Sequence, residues 1–529
     1  MDADNSRTKL NKLLFALTAG LLVTITALFI IFPSSSEKTM SGISKFCVGS
    51  LGSFYLWGLL FELLVVLWIS FSKIGKVKLG DSGDKPQYSF MNWIGMIFTS
   101  STGCSVLYWA LIEWSYYYKG GGGSTPWGAD PGSWQAGEWA TAYSLFHNGL
   151  IGWAIMAVAG VTVSYIYYIR KTPILRISEI CRPVLGRHID GFIGIIIDFC
   201  VIFGMASGIA TSMGFAGPLV AGAVSELFNI AYSSVYSYFV LLSWAVFSVT
   251  ILVLGLEKGF AKASDGNIYL FSFFLAYVFI TGPSRFIIDQ FTSAIGKMCT
   301  YFFSMALWTD AIGKSNFPQD WTIFFWAWWV IFAPTMGLFY AKISKGRTIR
   351  ELALGVTIGG SIGIYLAYGI LGSYALSLDV SGIYPAAQMI LQGLPASEII
   401  AKILINLPFY KPILVVFIFL AFIYTATTII AVSYTFAAAT TERLSAKQDP
   451  AKWNRIFWVV LLMAMGTALM KLGGLNSLKA ASIISALPLL IICLIITFSL
   501  VKMLKEDGLL EKEEIIIQSK KAFIEEINE

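Results

Sequence analysis

The stretch FFWAWWVIFAP, residues 324–334, holds the side chains with the clearest capacity for binding chemistry. Two of its tryptophans are adjacent, Trp328 and Trp329. Residues four apart share a face of a helix, so Trp328, Phe332 and Met336 line up, with Trp329 beside them. An aromatic face that includes a polarizable thioether attracts a cation without N–H donors, such as a quaternary ammonium group.

The same aromatic stretch also fits an interfacial belt. Tryptophan is enriched where membrane-spanning helices meet the lipid headgroups, and Trp321 and Trp326 suit that role. The aromatic run continues about two turns further inward than a belt requires, and Pro334 weakens the helix near its start. On these residues alone both interpretations stay open.

A second candidate region is FTSSTGCSVLYWALIEWSYYY, residues 98–118. Its small residues run from Ser100 to Ser105 and include Thr102 and Gly103. Small residues allow close helix packing, and they also loosen a helix so that its backbone groups can face a cavity. Glu113 follows in the same apolar segment. An intramembrane carboxylate is a candidate functional group, and a buried structural hydrogen bond explains it equally well.

A third stretch, GMASGIATSMGFAGPLVAG from Gly204 to Gly222, contains five glycines and one proline. It predicts either a tight packing seam or a segment that flexes. Elsewhere the six cysteines are scattered, only two histidines are present, and no nucleotide-binding motif occurs between a strand and a helix. We therefore expect no metal site, no disulfide framework and no cofactor.

Composition identifies the class of protein that must position these residues. Of the 529 residues, 57% are hydrophobic and 13% are charged, whereas soluble domains carry about 25% charged residues. Apolar runs of about 20 residues, such as LLFALTAGLLVTITALFIIF from Leu13, can cross a bilayer. Hydropathy gives twelve such segments, so we predict an all-α polytopic membrane protein with 12 transmembrane helices.

The distribution of positive charge predicts the orientation of these helices. Most of the 37 lysines and arginines fall on alternate connections, beginning with the N-terminal segment. Because such connections are cytoplasmic, we expect both termini inside. The first apolar stretch is too long for a signal peptide and should be retained as a helix. The net charge of +6 follows from this bias, so we expect no nucleic-acid partner.

Residues 325–351, FWAWWVIFAPTMGLFYAKISKGRTIRE, resemble the signature region of the betaine/carnitine/choline transporters. The resemblance extends through AYSLFHNGLIGW, GLEKGFAKASD, WTDAIGKSNFPQDW and GGLNSLKAASI, over nearly the whole chain. Within that family the sequence is most similar to the bacterial carnitine/γ-butyrobetaine antiporters. The resemblance implies a homotrimer in the lipid of a bacterial or archaeal plasma membrane.

The resemblance also implies two inverted five-helix repeats, spans 3–7 and 8–12, preceded by two further spans. It divides the chain into a cytoplasmic N-terminus (1–12), spans 1 and 2 (13–85), the first repeat (86–292), an amphipathic connecting helix (293–318), the second repeat (319–503) and a charged cytoplasmic tail (504–529).

The substrate of such a transporter would lie between spans 3, 4 and 8. Phe332 stands in the family's aromatic box where tryptophan or tyrosine is usual, and Glu113 occupies the acidic position of span 3. The positions that match substrate-lining residues of the family are Trp328, Trp329, Phe332, Met336, Tyr116 and Trp153.

Three positions depart from the family pattern. Asn148 replaces the tryptophan of a His-Trp-Gly motif, so it offers a hydrogen-bond donor and acceptor instead of a ring. The residues 101–105, with Thr102 and Gly103, replace the glycine-rich stretch of Na⁺-coupled members and are closer to the antiporters. Lys262 lies next to the position of an arginine that substitutes for Na⁺ in the antiporters.

These features predict a secondary transporter, and no enzyme, for a betaine- or carnitine-like methylated-amine zwitterion. Exchange of substrate against product by alternating access is the favoured mode. The alternative is an osmotically regulated symporter of glycine betaine or choline driven by Na⁺ or H⁺. A membrane enzyme would need histidine clusters, paired carboxylates or a nucleophile elbow, which the sequence lacks. A sensor would bind the substrate without moving it.

Overall fold

The structure is a computed structural model that describes residues 10–172, 176–255, 266–441, 449–472 and 474–510. The side chain of Thr102 lies outside this description. The structure is 82% helical. The described residues form no strand, and their strand-like pairings are two isolated bridges, Leu10 with Thr441 and Lys78 with Thr348. The prediction of an all-α chain is confirmed.

Fifteen helices of at least 13 residues carry the described part of the chain. They are α1 (Lys12–Ile31), α2 (Pro33–Phe71), α3 (Phe90–Thr102), α4 (Ser105–Tyr118), α5 (Trp134–Asn148), α6 (Leu150–Ser164), α7 (Phe192–Phe228), α8 (Ser234–Leu254), α9 (Asn267–Thr281), α10 (Ser284–Leu307), α11 (Ile323–Ile343), α12 (Gly360–Val380), α13 (Tyr410–Ala439), α14 (Lys452–Lys471) and α15 (Leu475–Glu506). Shorter helical segments include Ile177–Ile180, Arg182–Leu185, Ile349–Leu354, Ala386–Leu391 and Ala396–Leu404, and π-helical turns lie at Tyr165–Ile169, Pro318–Thr322 and Gly355–Gly359.

Ten helical segments among the described residues are long and apolar enough to cross a bilayer. Two bent pairs raise the number to twelve if each pair is one span: α3 with α4, at 69°, and α9 with α10, at 109°. Helices are suited to this environment because each satisfies its own backbone N–H and C=O groups. The prediction of a polytopic membrane protein is confirmed, and the predicted twelve spans correspond to the upper number.

The run of small residues in span 3 is the place where the helix breaks. Helix α3 ends at Thr102 and α4 begins at Ser105. Between them Gly103 has φ 51° and ψ −151°, a backbone conformation that residues with a side chain rarely adopt. Of the two interpretations of this stretch, the loosened helix is the one observed.

The glycine-rich stretch in span 5 forms a packing seam. It lies within α7, which runs unbroken over 37 residues. A Cβ atom on Gly208 would lie 2.8 Å from Ile331 Cγ2 and 3.1 Å from Phe332 Cζ, and one on Gly214 would lie 2.6 Å from Leu478 Cδ2. The missing side chains therefore let α7 approach α11 and α15, and they leave room for Phe332.

Helices α6 and α11 pack closely because glycines lie at their crossing. A Cβ atom on Gly152 would lie 2.6 Å from the ring of Trp329. About two turns of helix further, a Cβ atom on Gly337 would lie 2.8 Å from the backbone of Ala159. This crossing fixes the position of the tryptophan pair in α11.

Helix α10 turns away from α9 by 109° and overlaps the predicted connecting helix. It begins at Ser284, earlier than the predicted start at residue 293, and ends at Leu307. The Lys297 ammonium lies 2.8 Å from a carboxylate oxygen of Glu138, which attaches α10 to α5. The division of the chain into repeats stays a prediction.

Candidate functional site

A cavity of about 670 Å³ lies between α3, α4, α7, α11 and α13. The α11 residues Trp328, Trp329, Phe332 and Met336 all line it. These are the residues that the four-residue spacing and the family resemblance selected, so the structure brings them together on one wall.

The wall formed by α11 is extended by further rings of α11 and of neighbouring helices. The ring centroid of Trp328 lies 5.8 Å from that of Phe324, 5.7 Å from that of Phe215 and 6.4 Å from that of Trp109. Trp109 and Phe325 line the cavity as well. Such offset and edge-on contacts are the favourable arrangements of aromatic side chains. We call Trp109, Phe325, Trp328, Trp329 and Phe332 the aromatic wall.

Trp329 is held in place from behind the wall. Its indole N–H donates to the backbone carbonyl of His147 at 3.1 Å. Its ring centroid lies 5.3 Å from that of Trp153, which is fully buried. Because its ring also covers Gly152, Trp329 has little freedom to turn away from the cavity.

Serine and threonine hydroxyl groups also line the cavity. They come from the end of α3, the start of α4, α7, α11 and α13, and we call them the hydroxyl wall. Its members are Thr99, Ser100, Ser101, Ser105, Ser212, Thr335, Thr425, Thr427, Thr428 and Thr435. The lining of the cavity therefore combines aromatic rings with hydrogen-bonding groups.

The broken end of α3 is joined to α11 by one hydroxyl pair. The hydroxyl groups of Ser101 and Tyr340 form a hydrogen bond in which either atom can be the donor. The Tyr340 hydroxyl also lies 3.7 Å from the sulfur of Met156 in α6. Tyr340 thus connects the break in span 3 to the crossing of α6 and α11.

A buried polar network supports the remaining predicted residue of the cavity, Asn148. Its Nδ2 donates to Glu113 Oε2 at 3.0 Å and to the Ser144 carbonyl at 3.0 Å. These two bonds use both hydrogens of the amide, so Oδ1 is the polar atom that Asn148 has left for the cavity. The position that departs from the family motif thus presents an acceptor.

Glu113 is fully buried at the centre of this network. Its Oε1 accepts from the Tyr117 hydroxyl at 2.9 Å and lies 3.0 Å from His147 Nδ1. The other ring nitrogen of His147 lies 3.0 Å from the hydroxyl of Thr322. A buried carboxyl group needs such partners, and the interpretation of Glu113 as a buried hydrogen-bonded group is therefore observed. The network also reaches the cavity through Asn148.

The structure places two predicted substrate-lining residues behind the wall. Tyr116 packs on Trp321 with 5.0 Å between ring centroids, and on Trp109 with 6.4 Å. Trp153 supports Trp329, as described above. Gly103 lines the cavity at the helix break.

Two further predicted residues lie outside the description, namely Lys262 and the side chain of Thr102. No group of three or more His, Cys, Asp or Glu side chains that could hold a metal ion occurs among the described residues.

Sequence reasoning missed three features of the site. Trp109 belongs to the aromatic wall, and its position four residues before Glu113 on one helix face was an available signal. His147 is the partner of Glu113, although nothing in the sequence pairs residues on different helices. The threonines of α13, within the segment YTATT from Tyr424, were a visible polar run in an apolar span.

The cavity opens at the C-terminal ends of α11 and α13, where the exposed residues Lys342 and Tyr434 line it. At its other end Trp109, Phe325 and Trp328 close it, and all three are buried. Behind them lie the buried rings of Trp321 and Phe324. Access in this conformation is from the side of Lys342.

A comparison with known protein families agrees with this architecture. The sequence model described as "BCCT, betaine/carnitine/choline family transporter" matches residues 13–509. Members of that family are secondary transporters of betaine-, carnitine- and choline-type substrates rather than enzymes. The match covers almost all of the chain, including every residue that lines the cavity. The chain therefore belongs to the betaine/carnitine/choline transporter family.

Proposed function

We propose that this protein exchanges small methylated-amine zwitterions, of betaine or carnitine type, across a membrane by alternating access. The observation that supports this most is the mixed lining of the cavity, which combines aromatic rings with hydroxyl groups. A methylated-amine zwitterion suits both kinds of lining group, since its ammonium end carries no N–H donor and its carboxylate end accepts hydrogen bonds.

The ammonium end would bind the aromatic wall at Trp328, Trp329 and Phe332, with Met336 beside it. All four residues line the cavity. A desolvated cation–π contact is worth about 2 kcal/mol, which is roughly a thirtyfold change in affinity. Tyr116 and Trp153 would act from behind, by fixing Trp109 and Trp329.

The carboxylate end would bind near the break between α3 and α4. Ser101 and Ser105 line the cavity there. The first backbone N–H groups of α4 lie at the same place, and the start of a helix favours negative charge. Gly103 would act as the hinge, because its backbone conformation is open to glycine alone among common residues.

Asn148 would set the choice of substrate. Its Oδ1 faces a ligand as an acceptor, so a substrate with a hydroxyl group near its ammonium end gains a hydrogen bond. Glu113 fixes the orientation of Asn148 through the 3.0 Å bond to Nδ2. Lys262 lies outside the described residues, so its proposed role in coupling rests on the family resemblance.

The positive-inside rule applied to the connection after α11 puts Lys342 on the cytoplasmic side. On this basis the conformation described above is open to the inside, and the aromatic wall closes the outer end. The protein would work as a homotrimer of inverted-repeat subunits in a bacterial or archaeal plasma membrane, with both termini in the cytoplasm.

Counterflow in proteoliposomes tests this proposal. Separate vesicle preparations are preloaded with carnitine, γ-butyrobetaine or glycine betaine. Labelled carnitine is then added outside, with and without Na⁺. Exchange without Na⁺ that is lost in the variant Trp328→Leu would support the proposal. Exchange unaffected by that substitution, or no exchange of any methylated amine, would contradict it.

A second candidate is H⁺-coupled symport, and the Glu113–His147 pair favours it. The two side chains are fully buried, 3.0 Å apart, and connected to the cavity through Asn148. They can therefore share a proton, and the binding of that proton would be linked to the binding of a ligand in the cavity. Net uptake into empty vesicles, driven by an inwardly directed proton gradient and lost in Glu113→Gln, would favour this candidate over exchange.

A further inference from the structure

Lys342 is the one residue with a formal charge among the described residues that line the cavity. It lies in the last turn of α11, at the mouth of the cavity, and it is exposed. No aspartate or glutamate of the described residues belongs to the lining. The lining therefore carries a single positive charge, and this charge lies at the entrance.

The charge of Lys342 has no partner in the described part of the chain, since none of the carboxylates there forms an ion pair with it. The acid in contact with the mouth is Asp449, which accepts a 3.2 Å hydrogen bond from the hydroxyl of Tyr434. Tyr434 lines the cavity and Asp449 does not. A ligand that enters thus passes a lysine whose charge is not balanced within the lining.

Two general effects also favour a lysine at this position. A positive side chain near the C-terminal end of a helix interacts well with the helix dipole, and cytoplasmic ends of membrane spans are rich in lysine and arginine. The second effect applies equally to Lys345, which pairs with Asp84 at 3.3 Å and does not line the cavity. Neither effect requires the side chain to face the ligand's path, as Lys342 does.

The distance from Lys342 to the aromatic wall decides which step its charge affects. Phe332 precedes Lys342 by ten residues on α11, which is about 15 Å along the helix axis. In physiological salt the field of an exposed charge is screened over about 8 Å. An ammonium group bound at Phe332 lies beyond that range, whereas one that crosses the mouth lies within it.

We propose that Lys342 is a specificity-determining residue that selects ligands by net charge at the mouth. It slows the passage of a monocation such as choline. A zwitterion with the same trimethylammonium group passes freely, because its carboxylate is attracted while its ammonium group is repelled. Entry and exit of the cation slow equally, so its affinity at the aromatic wall is unchanged. The proposal deepens the proposed function and rests on it for the identity of the ligands.

The first experiment measures this selection without transport. Cys104 lines the cavity, so a reagent added on the side of Lys342 reaches its thiol through the mouth. Inside-out membrane vesicles are treated with trimethylammonioethyl or sulfonatoethyl methanethiosulfonate, which are similar in size and opposite in charge. Each forms a mixed disulfide with the thiolate and releases methanesulfinate. Lys342→Gln should raise the ratio of cationic to anionic labelling rates roughly tenfold, and high salt should bring the wild type towards the variant.

Matched variants isolate the charge of Lys342 in this experiment. Lys342→Arg keeps the charge, and Lys345→Gln removes a neighbouring charge outside the lining, so both should label as the wild type does. Cys104→Ser measures the labelling of the other cysteines, of which Cys299 is exposed. Leu338→Cys supplies a second reporter in the lining, one turn before Lys342, so that an unreactive Cys104 does not decide the result.

The second experiment compares exchange of labelled choline and labelled glycine betaine in the same vesicles. Lys342→Gln should raise the rate for choline relative to glycine betaine roughly threefold to tenfold and leave the affinity for choline unchanged. If the wild type exchanges neither ligand, the proposed function is wrong, and thiol labelling still measures the selection at the mouth. If the labelling ratio at both reporters is the same in the wild type and in Lys342→Gln, Lys342 does not select by charge.

Discussion

Trp329 donates its indole N–H to the backbone carbonyl of His147 across 3.1 Å, and this bond ties α11 to the last turn of α5. Its acceptor residue is also the partner of Glu113. The same residue of α5 therefore supports the aromatic wall with its backbone and the buried carboxyl group with its side chain.

Trp329→Phe should lower both stability and affinity. The substitution leaves the His147 carbonyl without this donor, and a net loss of about 1 kcal/mol is typical for such a bond. We expect a lower melting temperature in detergent and roughly threefold to tenfold weaker binding of a methylated amine. Trp57→Phe, at an exposed position of α2, is the matched control. Equal effects of the two substitutions would contradict the structural role of the indole N–H.

Asn148→Leu should destabilise the protein because Glu113 Oε2 loses its donor. A buried acceptor left without a partner costs about 1–3 kcal/mol. We expect a larger fall in melting temperature than for an exposed asparagine, together with a loss of discrimination between carnitine, which has a hydroxyl group, and γ-butyrobetaine. The control is Asn406→Leu, since Asn406 is exposed and bonds to a carbonyl one turn away. Unchanged discrimination would remove Asn148 from substrate choice.

Gly103→Ala should slow exchange and destabilise the break between α3 and α4. A Cβ atom there would have room, as its nearest neighbour is Thr428 Oγ1 at 3.7 Å. The cost of about 1–3 kcal/mol therefore comes from the backbone conformation alone. Gly296→Ala in α10 is the counterpart, because it meets nothing within 4 Å and should stabilise its helix by about 1 kcal/mol. Thermal unfolding of both variants, with opposite signs, checks this prediction.

Gly152→Ala should weaken ligand binding without touching the cavity. The new methyl group would lie 2.6 Å from the ring of Trp329 and would push it out of the wall. We expect reduced affinity for a quaternary ammonium ligand, measured by tryptophan fluorescence. Gly49→Ala in α2, where nothing lies within 4 Å, should bind as the wild type does. Normal binding by Gly152→Ala would show that the ring position is not critical.

The part of the site that the sequence could predict is the part built within one helix. Trp328, Phe332 and Met336 share a cavity wall because residues four apart on α11 must share a face. The break at Gly103 was one of two interpretations of the small-residue run. Hydropathy likewise predicted the all-α membrane architecture, because apolar length alone carries that information.

Relationships between helices were beyond the sequence. Trp109 rather than Tyr116 lines the cavity, and because the two residues lie two turns apart on the same face of α4, their spacing does not distinguish them. The partnership of Glu113 with His147 joins α4 to α5, and the contact of Lys479 with Trp321 joins α15 to the π-helical turn that precedes α11. A single sequence contains no signal for such pairs.

The aromatic wall also has a consequence for inorganic ions. Rings attract any cation, yet they cannot replace the water molecules that Na⁺, K⁺ or NH₄⁺ holds in solution. Dehydrating such a small ion costs far more free energy than dehydrating a quaternary ammonium group, whose charge is covered by methyl groups. The wall that lines this cavity, at Trp328 and Phe332, thus discriminates by hydration energy, and cellular salt at high concentration should compete poorly for it.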